Sequence, residues 1–356
     1  MHLGRPVPAQ SPVDIALDLM AIDSTSGREG DVVAFAETRL RERDWPVTRI
    51  PVTPGRDCLL ASASANPRVT LSTHLDTVPP YFAPTKNGDT LHGRGACDAK
   101  GIAASMIVAA ERLRARNVPV AILLVVGEET NHDGAKAANT WAATNLAGAS
   151  RALINGEPTA STLALGTKGA MRVTVRTSGS AAHSAYPELG DSAIVRLVRL
   201  LSEMETVVLP SDPVLGPTTI NVGTISGGVA DNVVAPWAEA RLMARLVTPA
   251  GEVWEILERW AAGRATLEQG VTVPLVRLPS LGGFPTSVAA FATDIPSLTN
   301  WGMPYLFGPG SIHVAHTPNE RVSVSELERA VDAYETIALA ALERLDQGSG
   351  MGKQVS

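Results

Sequence analysis

Three segments read as strands buried on both faces. Arg68–Thr73 (RVTLST), Val120–Val126 (VAILLVV) and Arg151–Ile154 (RALI) are β-branched or aliphatic and non-alternating. Between the first two, Lys100–Arg116 carries Ile102, Met106, Ala109, Ala110 and Leu113 at helical spacing. The order strand, helix, strand, helix, strand predicts an α/β catalytic domain whose sheet is mostly parallel and flanked by helices. Upstream, Pro12 opens a short helix, and Asp31–Arg43 places Val33, Phe35, Ala36 and Leu40 on a second.

After Lys168 the period changes. The segments GAMRVTVRTSG, TTINVGTISGG and EARLMARLVT alternate apolar with polar residues, as strands of an antiparallel sheet with one solvated face do. Helical stretches at Ser192–Glu205 and Glu252–Ala262 lie between them, giving an inserted α+β domain of about a hundred residues. Beyond Leu281 the α/β pattern resumes, with an apolar run at Pro304–Phe307 and a final helix carrying Ser325 and Glu328 as a capping box. The tail from Asp346 onward reads as frayed. The expected division is 1–167 with 281–356 for the first domain and 168–280 for the second.

A chain of 356 residues, 45% hydrophobic and 19% charged, supports two packed domains rather than a disordered segment. Its formal net charge of −6 argues against nucleic acid as main partner. Cys58 and Cys97 are too few for a disulfide framework, and no CxxC pair exists for a zinc knot. The first residues lack the apolar stretch of a signal peptide, and no apolar run approaches the roughly 20 residues that span a bilayer. The expectation is a soluble cytoplasmic protein with no membrane partner.

The chemistry-bearing residues gather where parallel strands end. His74 and Asp76 follow the first strand, Glu128 and Glu129 the second and Glu157 the third, while Asp98 opens a helix. Open α/β sheets place ligand sites at that edge, so these groups should converge in one crevice. One imidazole among several carboxylates needs a positive partner, and two divalent ions about 3.5 to 4 Å apart would use this many acids. Mixed nitrogen and oxygen ligands favour zinc, with cobalt or manganese as replacements. Asp76, two residues on, is placed to orient the His74 ring as part of the catalytic set. Blander roles compete: a hydrogen-bonded His74, an Asp76 that caps the turn before Val78-Pro79-Pro80, and an Asp98 that caps its helix. For the adjacent glutamates the bland role is a solvated pair.

Five ordered segments, STHLDTVPP, GRGACDAKG, GEET, NGEPT and GPGSIHVAHTPNERV, together span most of the chain. They resemble the motifs of the co-catalytic metallopeptidase and deacylase family that includes acetylornithine deacetylase, succinyl-diaminopimelate desuccinylase, aminoacylase and carboxypeptidase G. The resemblance implies that His74 and Glu157 hold one metal, Glu129 and His316 the other, and that Asp98 bridges them. It makes Glu128 the general base, and it selects His316 over His313, three residues before it. The inserted domain resembles the family's lid and dimerisation domain. There GSAAHSAYPELGDSA presents His183 as a donor to the carbonyl oxygen, and ISGGVADNVVAPWAEARLMARL matches Asn232 and Arg245 to the substrate carboxylate, with Arg241 as rival. A homodimer is implied as well. The implied reaction is cleavage of an N-acyl amino acid, acetylornithine-deacetylase-like. Desuccinylase, N-acyl-lysine deacylase and dipeptidase are alternatives, and a catalytically silent metal-bound binding protein is the non-enzyme one. ATDIPSLTNWGMP matches the family pattern only loosely, leaving Asp294 without a role, and His132 falls in no motif.

Overall fold

In the computed structural model, which describes residues 11–146 and 150–351, the aliphatic segments lie at the centre of one six-stranded sheet. Its order is Val47–Thr53, Arg56–Ser62, Val120–Val125, Val69–His74, Ala152–Asn155, Met303–Leu306. The last four strands are mutually parallel, and Arg56–Ser62 runs against both its neighbours. Every residue of Val69–His74, Val120–Val125 and Ala152–Asn155 is buried, which explains their uninterrupted apolar character. The helix Lys100–Ala115 packs against the helices Pro12–Met20 and Val324–Met351, and Gly30–Arg41 and Asp133–Asn145 lie on the antiparallel strands. Contacts divide the chain into two units, one of Met1–Leu165, Leu278–Ser287 and Thr293–Ser356, the other of Gly166–Arg277 and Val288–Ala292.

The second unit is built on a four-stranded antiparallel sheet, ordered Thr219–Gly227, Trp237–Leu246, Gly169–Ser178, Thr266–Val273. Alternation does its work on Trp237–Leu246, where Ala238, Ala240, Leu242, Ala244 and Leu246 are buried and the residues between them are not. Helices Ala193–Ser202 and Ala250–Ala261 cover that buried face with Leu197, Leu200, Val253, Leu257 and Trp260. The fold is therefore mixed α/β with a mostly parallel sheet and a separate antiparallel one. No helix among the described residues is long and apolar enough to cross a membrane.

Three local features depart from the sequence expectation. The hairpin Val47–Thr53 and Arg56–Ser62 joins the main sheet although its outer strand buries only Ile50, so it carries almost no hydrophobic pattern to read. The final helix starts at Val324 rather than after Ser325. Ser323 Oγ accepts from Glu326 N (3.3 Å) and Asp89 Oδ1 from Ser325 N (2.9 Å), so Asp89 and Ser323 cap it in place of a Ser325–Glu328 box. That helix also continues through Met351, so its last turns include residues expected to fray, and residues 352–356 lie outside the described residues.

Candidate active site

The buried strand Val69–His74 ends by delivering His74, 1% exposed, to the carboxyl edge of the sheet. Its Nδ1 donates to the main-chain oxygen of Asp76 (2.9 Å), which turns Nε2 toward Asp98 Oδ1 at 3.1 Å. The Asp76 carboxylate stands 3.6 Å from the same Nδ1 and is engaged on its other side as well. Oδ1 accepts from Glu128 N and Oδ2 from Glu129 N, both at 3.1 Å, and Ser26 Oγ donates to Oδ2 at 2.8 Å. Asp76 thus clamps the backbone that carries both glutamates. The turn into them requires Gly127, at φ +73°, where a Cβ would come within 2.1 Å of Asp133 Oδ1.

Asp98 precedes the helix Lys100–Ala115 yet makes no capping bond to it. Its two oxygens face two imidazoles, Oδ1 toward His74 and Oδ2 toward His316 Nε2 at 3.2 Å. His316 Nε2 also lies 2.9 Å from Glu129 Oε1. The ligand atoms of His74, Asp98 and Glu129 lie within 4.8 Å of one another. Glu320, four residues past His316 and fully buried, supports the cluster from behind. Its Oε1 accepts from Gly95 N (2.9 Å) and Asp98 N (3.3 Å), and Oε2 pairs with buried Arg94. His316 itself sits at φ +61°, an unusual conformation for a non-glycine residue and one associated with functional sites. His313 is exposed, with no contact to the cluster among the described residues.

Glu157 is positioned through Gly156, whose N–H donates to Ser72 O and whose carbonyl accepts from Thr73 Oγ, both at 2.8 Å. It is 4% exposed, and its buried Oε1 has no hydrogen-bond partner among the described residues. A buried carboxylate oxygen without a donor is costly unless a cation satisfies it. Two imidazoles with carboxylates from Asp98, Glu129 and Glu157 are a donor set suited to zinc and its neighbours. The residues therefore fit a divalent metal centre.

Electrostatics support that fit. Burial, then the neighbouring Glu157 charge, push the Glu128 carboxyl well above its usual range. Burial likewise pushes Glu157 well above and Glu129 up. Burial opposes ionisation of Asp98 too, but the hydrogen bonds from His316 and His74 hold it well below the usual carboxylate range. His316, bonded to Asp98 and Glu129, is pushed up to about 10. Without metal, protons supply the positive charge that this cluster demands.

Two residues to which the sequence assigned no role stand beside Glu128. His132 Nδ1 is 2.8 Å from Asp294 Oδ1 and 3.8 Å from Glu128 Oε1, and Asp294 is 1% exposed. Asp294 is 166 residues along the chain from Glu128 (294 − 128), so no local spacing links them. Cys97, which precedes Asp98, is buried, and burial drives its thiol well above the usual range.

In the second unit, His183 pairs with Val233 in an isolated bridge, and Ser184 N donates to Asn232 O at 3.0 Å, so His183 and Asn232 occupy adjoining segments. His183 Nδ1 accepts from Ala185 N at 3.1 Å. Arg241 is bonded to Glu239 at 3.0 Å, whereas Arg245 has no acidic partner among the described residues. Burial and the like charge of Arg172 lower the affinity of Arg245 for its proton, a setting in which an anion is stabilised.

The profile of Peptidase family M20/M25/M40 matches residues 70–340. The chain belongs to this family. M20 relatives include a peptidase M20 domain-containing protein of Schizosaccharomyces pombe, 35% identical over 342 residues, covering 92% of this chain and 84% of that protein. A protein of Paracoccidioides lutzii named probable carboxypeptidase is 36% identical over 371 residues, covering 91% and 84%. The fold matches a Staphylococcus aureus tripeptidase (TM-score 0.75, 22% identity, 94% of this chain and 99% of that one). It also matches a Bacillus subtilis protein described as a dinuclear metal binding peptidase of the M20 family (TM-score 0.67, 15% identity, 93% and 98%). This M20 protein is a metal-dependent hydrolase.

For the metal-free M20 protein, thermal stability should fall as pH rises from about 5 to about 8. Glu128, Glu129, Glu157 and His316 all have raised proton affinities, so their contribution is full below their usual values of 4.5 and 6.5 and is lost as pH rises toward the raised ones. Asp98 works in the opposite sense, but only below its usual 3.8. Bound cations replace those protons, so the metal-loaded protein should show a flatter profile. Melting curves with and without chelator measure both slopes, and a chelated protein that grows more stable toward pH 8 would contradict the account.

Proposed function

We propose that this M20 hydrolase cleaves an amide bond whose leaving amine carries a free carboxylate, the bond shared by the C-terminal residue of a short peptide and by an N-acyl amino acid. The observation that carries the reading is the buried, unpartnered Glu157 oxygen beside a cluster of two imidazoles and two further carboxylates, with Glu128 next to it. In this reading His74 and Glu157 would hold one metal ion and Glu129 and His316 the second, with Asp98 contributing to both. When bound, the two ions lower the pKa of water and polarise the scissile carbonyl. Glu128 takes a proton from water as its oxygen adds to the carbonyl carbon, and passes that proton to the amine nitrogen as the C–N bond breaks. Asp76 keeps Glu128 and Glu129 in register by holding both backbone N–H groups. His183 donates to the developing oxyanion, and Asn232 with Arg245 grips the carboxylate of the leaving amino acid.

The carboxypeptidase names of the fungal relatives and the unpaired Arg245 support a carboxylate-bearing substrate. Acetylornithine-deacetylase-like activity is one member of that class, favoured by the GPGSIHVAH loop and by glutamate at position 157. Zinc is the proposed metal, with cobalt or manganese as substitutes, and the cytoplasm is the proposed site of action. A homodimer through the second unit is proposed too. The strand Thr219–Gly227 is an exposed edge, and Val222 and Ile225 on it, with Ile194, Val195 and Val198 on the helix Ala193–Ser202, are exposed large hydrophobics. Sedimentation of the full chain measures that assembly.

The deciding assay strips the protein of metal, restores zinc or cobalt, and measures amine release from N-acetyl amino acids, succinyl-diaminopimelate and dipeptides. Each hydrolysed compound should lose turnover when its free carboxylate is amidated. Arg245→Ala should erase that discrimination mainly through KM. Equal hydrolysis of acids and their amides by the wild type would overturn the substrate class.

A further inference from the structure

We propose that His132 and Asp294 are positioning residues for the reaction, a pair that fixes the Glu128 carboxylate beside the metal centre. The inference rests on the reading of Glu128 as the base. Among the described residues, Nδ1 of His132 is the one basic nitrogen within 4 Å of the Glu128 carboxylate, at 3.8 Å. A base that must collect a proton at one atom and release it at another needs its carboxylate held in place, and Glu128 receives that restraint from no other basic side chain among the described residues.

His132 is itself held on three sides. Its N–H donates to Gly127 O at 2.9 Å, closing the turn that carries Glu128. The residue after it, Asp133, is bound by Arg56 through Oδ2 at 2.7 Å and Oδ1 at 3.2 Å, and Arg56 is bound in turn by buried Glu29. Its ring is fixed by Asp294, whose Oδ1 accepts from Nδ1 at 2.8 Å. A carboxylate only accepts, so Asp294 selects the tautomer with the proton on Nδ1. That N–H is bonded to Asp294, and Glu128 Oε1 lies 3.8 Å from the same nitrogen. The backbone of His132 is in the left-handed region at φ +57°, where a histidine is uncommon and must be retained by its surroundings. Asp294 is almost wholly buried, and His132 is the one histidine, lysine or arginine within ion-pair distance of it among the described residues. A buried carboxylate whose hydrogen-bond partner is a histidine beside the base has a use in the reaction that packing alone does not supply.

The test combines two readouts on the metal-loaded protein. In the spectrum of protein labelled with ¹⁵N-histidine, the His132 signal, assigned by its loss in His132→Ala, should report a proton on Nδ1 in the wild type. That pattern should be lost in Asp294→Ala, and a proton on Nε2 in the wild type would overturn the inference. In kinetics on a dipeptide of the substrate panel, His132→Ala and Asp294→Ala should each lower kcat about 10- to 100-fold at equal metal content, with KM changed about twofold or less. Asp294→Asn, which keeps an acceptor oxygen, should recover most of that loss. In a Glu128→Gln background, Asp294→Ala should produce no further fall in kcat, because the group it positions is gone. A fall of equal size in both backgrounds would mean a structural role and overturn the proposal, as would unchanged kcat in both single variants while Glu128→Gln is inactive. Full turnover in Glu128→Gln overturns the base reading instead.

Discussion

Glu128→Gln is expected to reduce kcat about 10³-fold while leaving two metals bound per chain, a loss within the range that positioned acid–base groups supply. The amide matches glutamate in size, so the site keeps its shape, but its carbonyl has no use for a proton and cannot carry one from water to the amine. The variant should fold at least as well as the wild type. In the metal-free protein Glu128 is a buried acid whose ionisation is opposed first by burial and then by the Glu157 charge, so its replacement removes a source of repulsion. The measurement is amine release in parallel with metal analysis. If activity stays within tenfold of wild type at full metal content, the base must be sought elsewhere.

Asp98→Asn should act on metal rather than on proton transfer. Asp98 presents one oxygen to each imidazole, His74 at 3.1 Å and His316 at 3.2 Å, and in the proposed reading it is the carboxylate shared by both ions. Asparagine leaves one neutral carbonyl oxygen and offers an NH₂ where the other acceptor stood, so one ion would lose its donor and both would lose the shared negative charge. We expect metal affinity to fall about 10³-fold, the scale of removing one partner from a buried charge pair. Dialysed variant should carry less than one metal per chain, and millimolar zinc should restore part of the turnover. Two metals retained after dialysis would show that Asp98 does not bridge. The contrast between the variants is itself informative, since Glu128→Gln should be silent in metal analysis and Asp98→Asn should not.

Much of the centre is legible in sequence because each chemical group is attached to a strong local signal. His74, Glu128, Glu129 and Glu157 follow strands so apolar that their ends are easily located, and Asp98 sits in a glycine-rich entry to a helix. Whatever depends on long-range meeting is not legible in this way. The Asp76 clamp on the Glu128 and Glu129 backbone is absent from the roles the sequence offers, a turn cap and a ring contact, because it joins residues 52 or more positions apart. His132 and Asp294 come together only in the folded sheet. Glu320 lies inside a segment that stands out for its histidine, although its burial beneath Asp98 makes it part of the same support. In the fold, the hairpin at Val47–Ser62 leaves no pattern because its outer strand faces solvent, and the cap of the final helix is hidden because Asp89 arrives from 236 residues away.

The two-part composition of the first unit sets an order of events during synthesis. His74, Asp98, Glu129 and Glu157 leave the ribosome before the second unit, whereas the edge strand Met303–Leu306, His316 and Glu320 follow all of it. A nascent chain paused inside the second unit therefore carries three of the four parallel strands, with the edge of Ala152–Asn155 unpaired and the Asp98 backbone without its Glu320 support. Contacts this distant in sequence form late and slowly. The antiparallel unit is contiguous apart from Val288–Ala292, so it can gather its own core while the older sheet waits. On the proposed ligand set, capture of metal thus belongs to the end of translation, and a chain truncated ahead of residue 303 would be released with an open sheet edge and without His316.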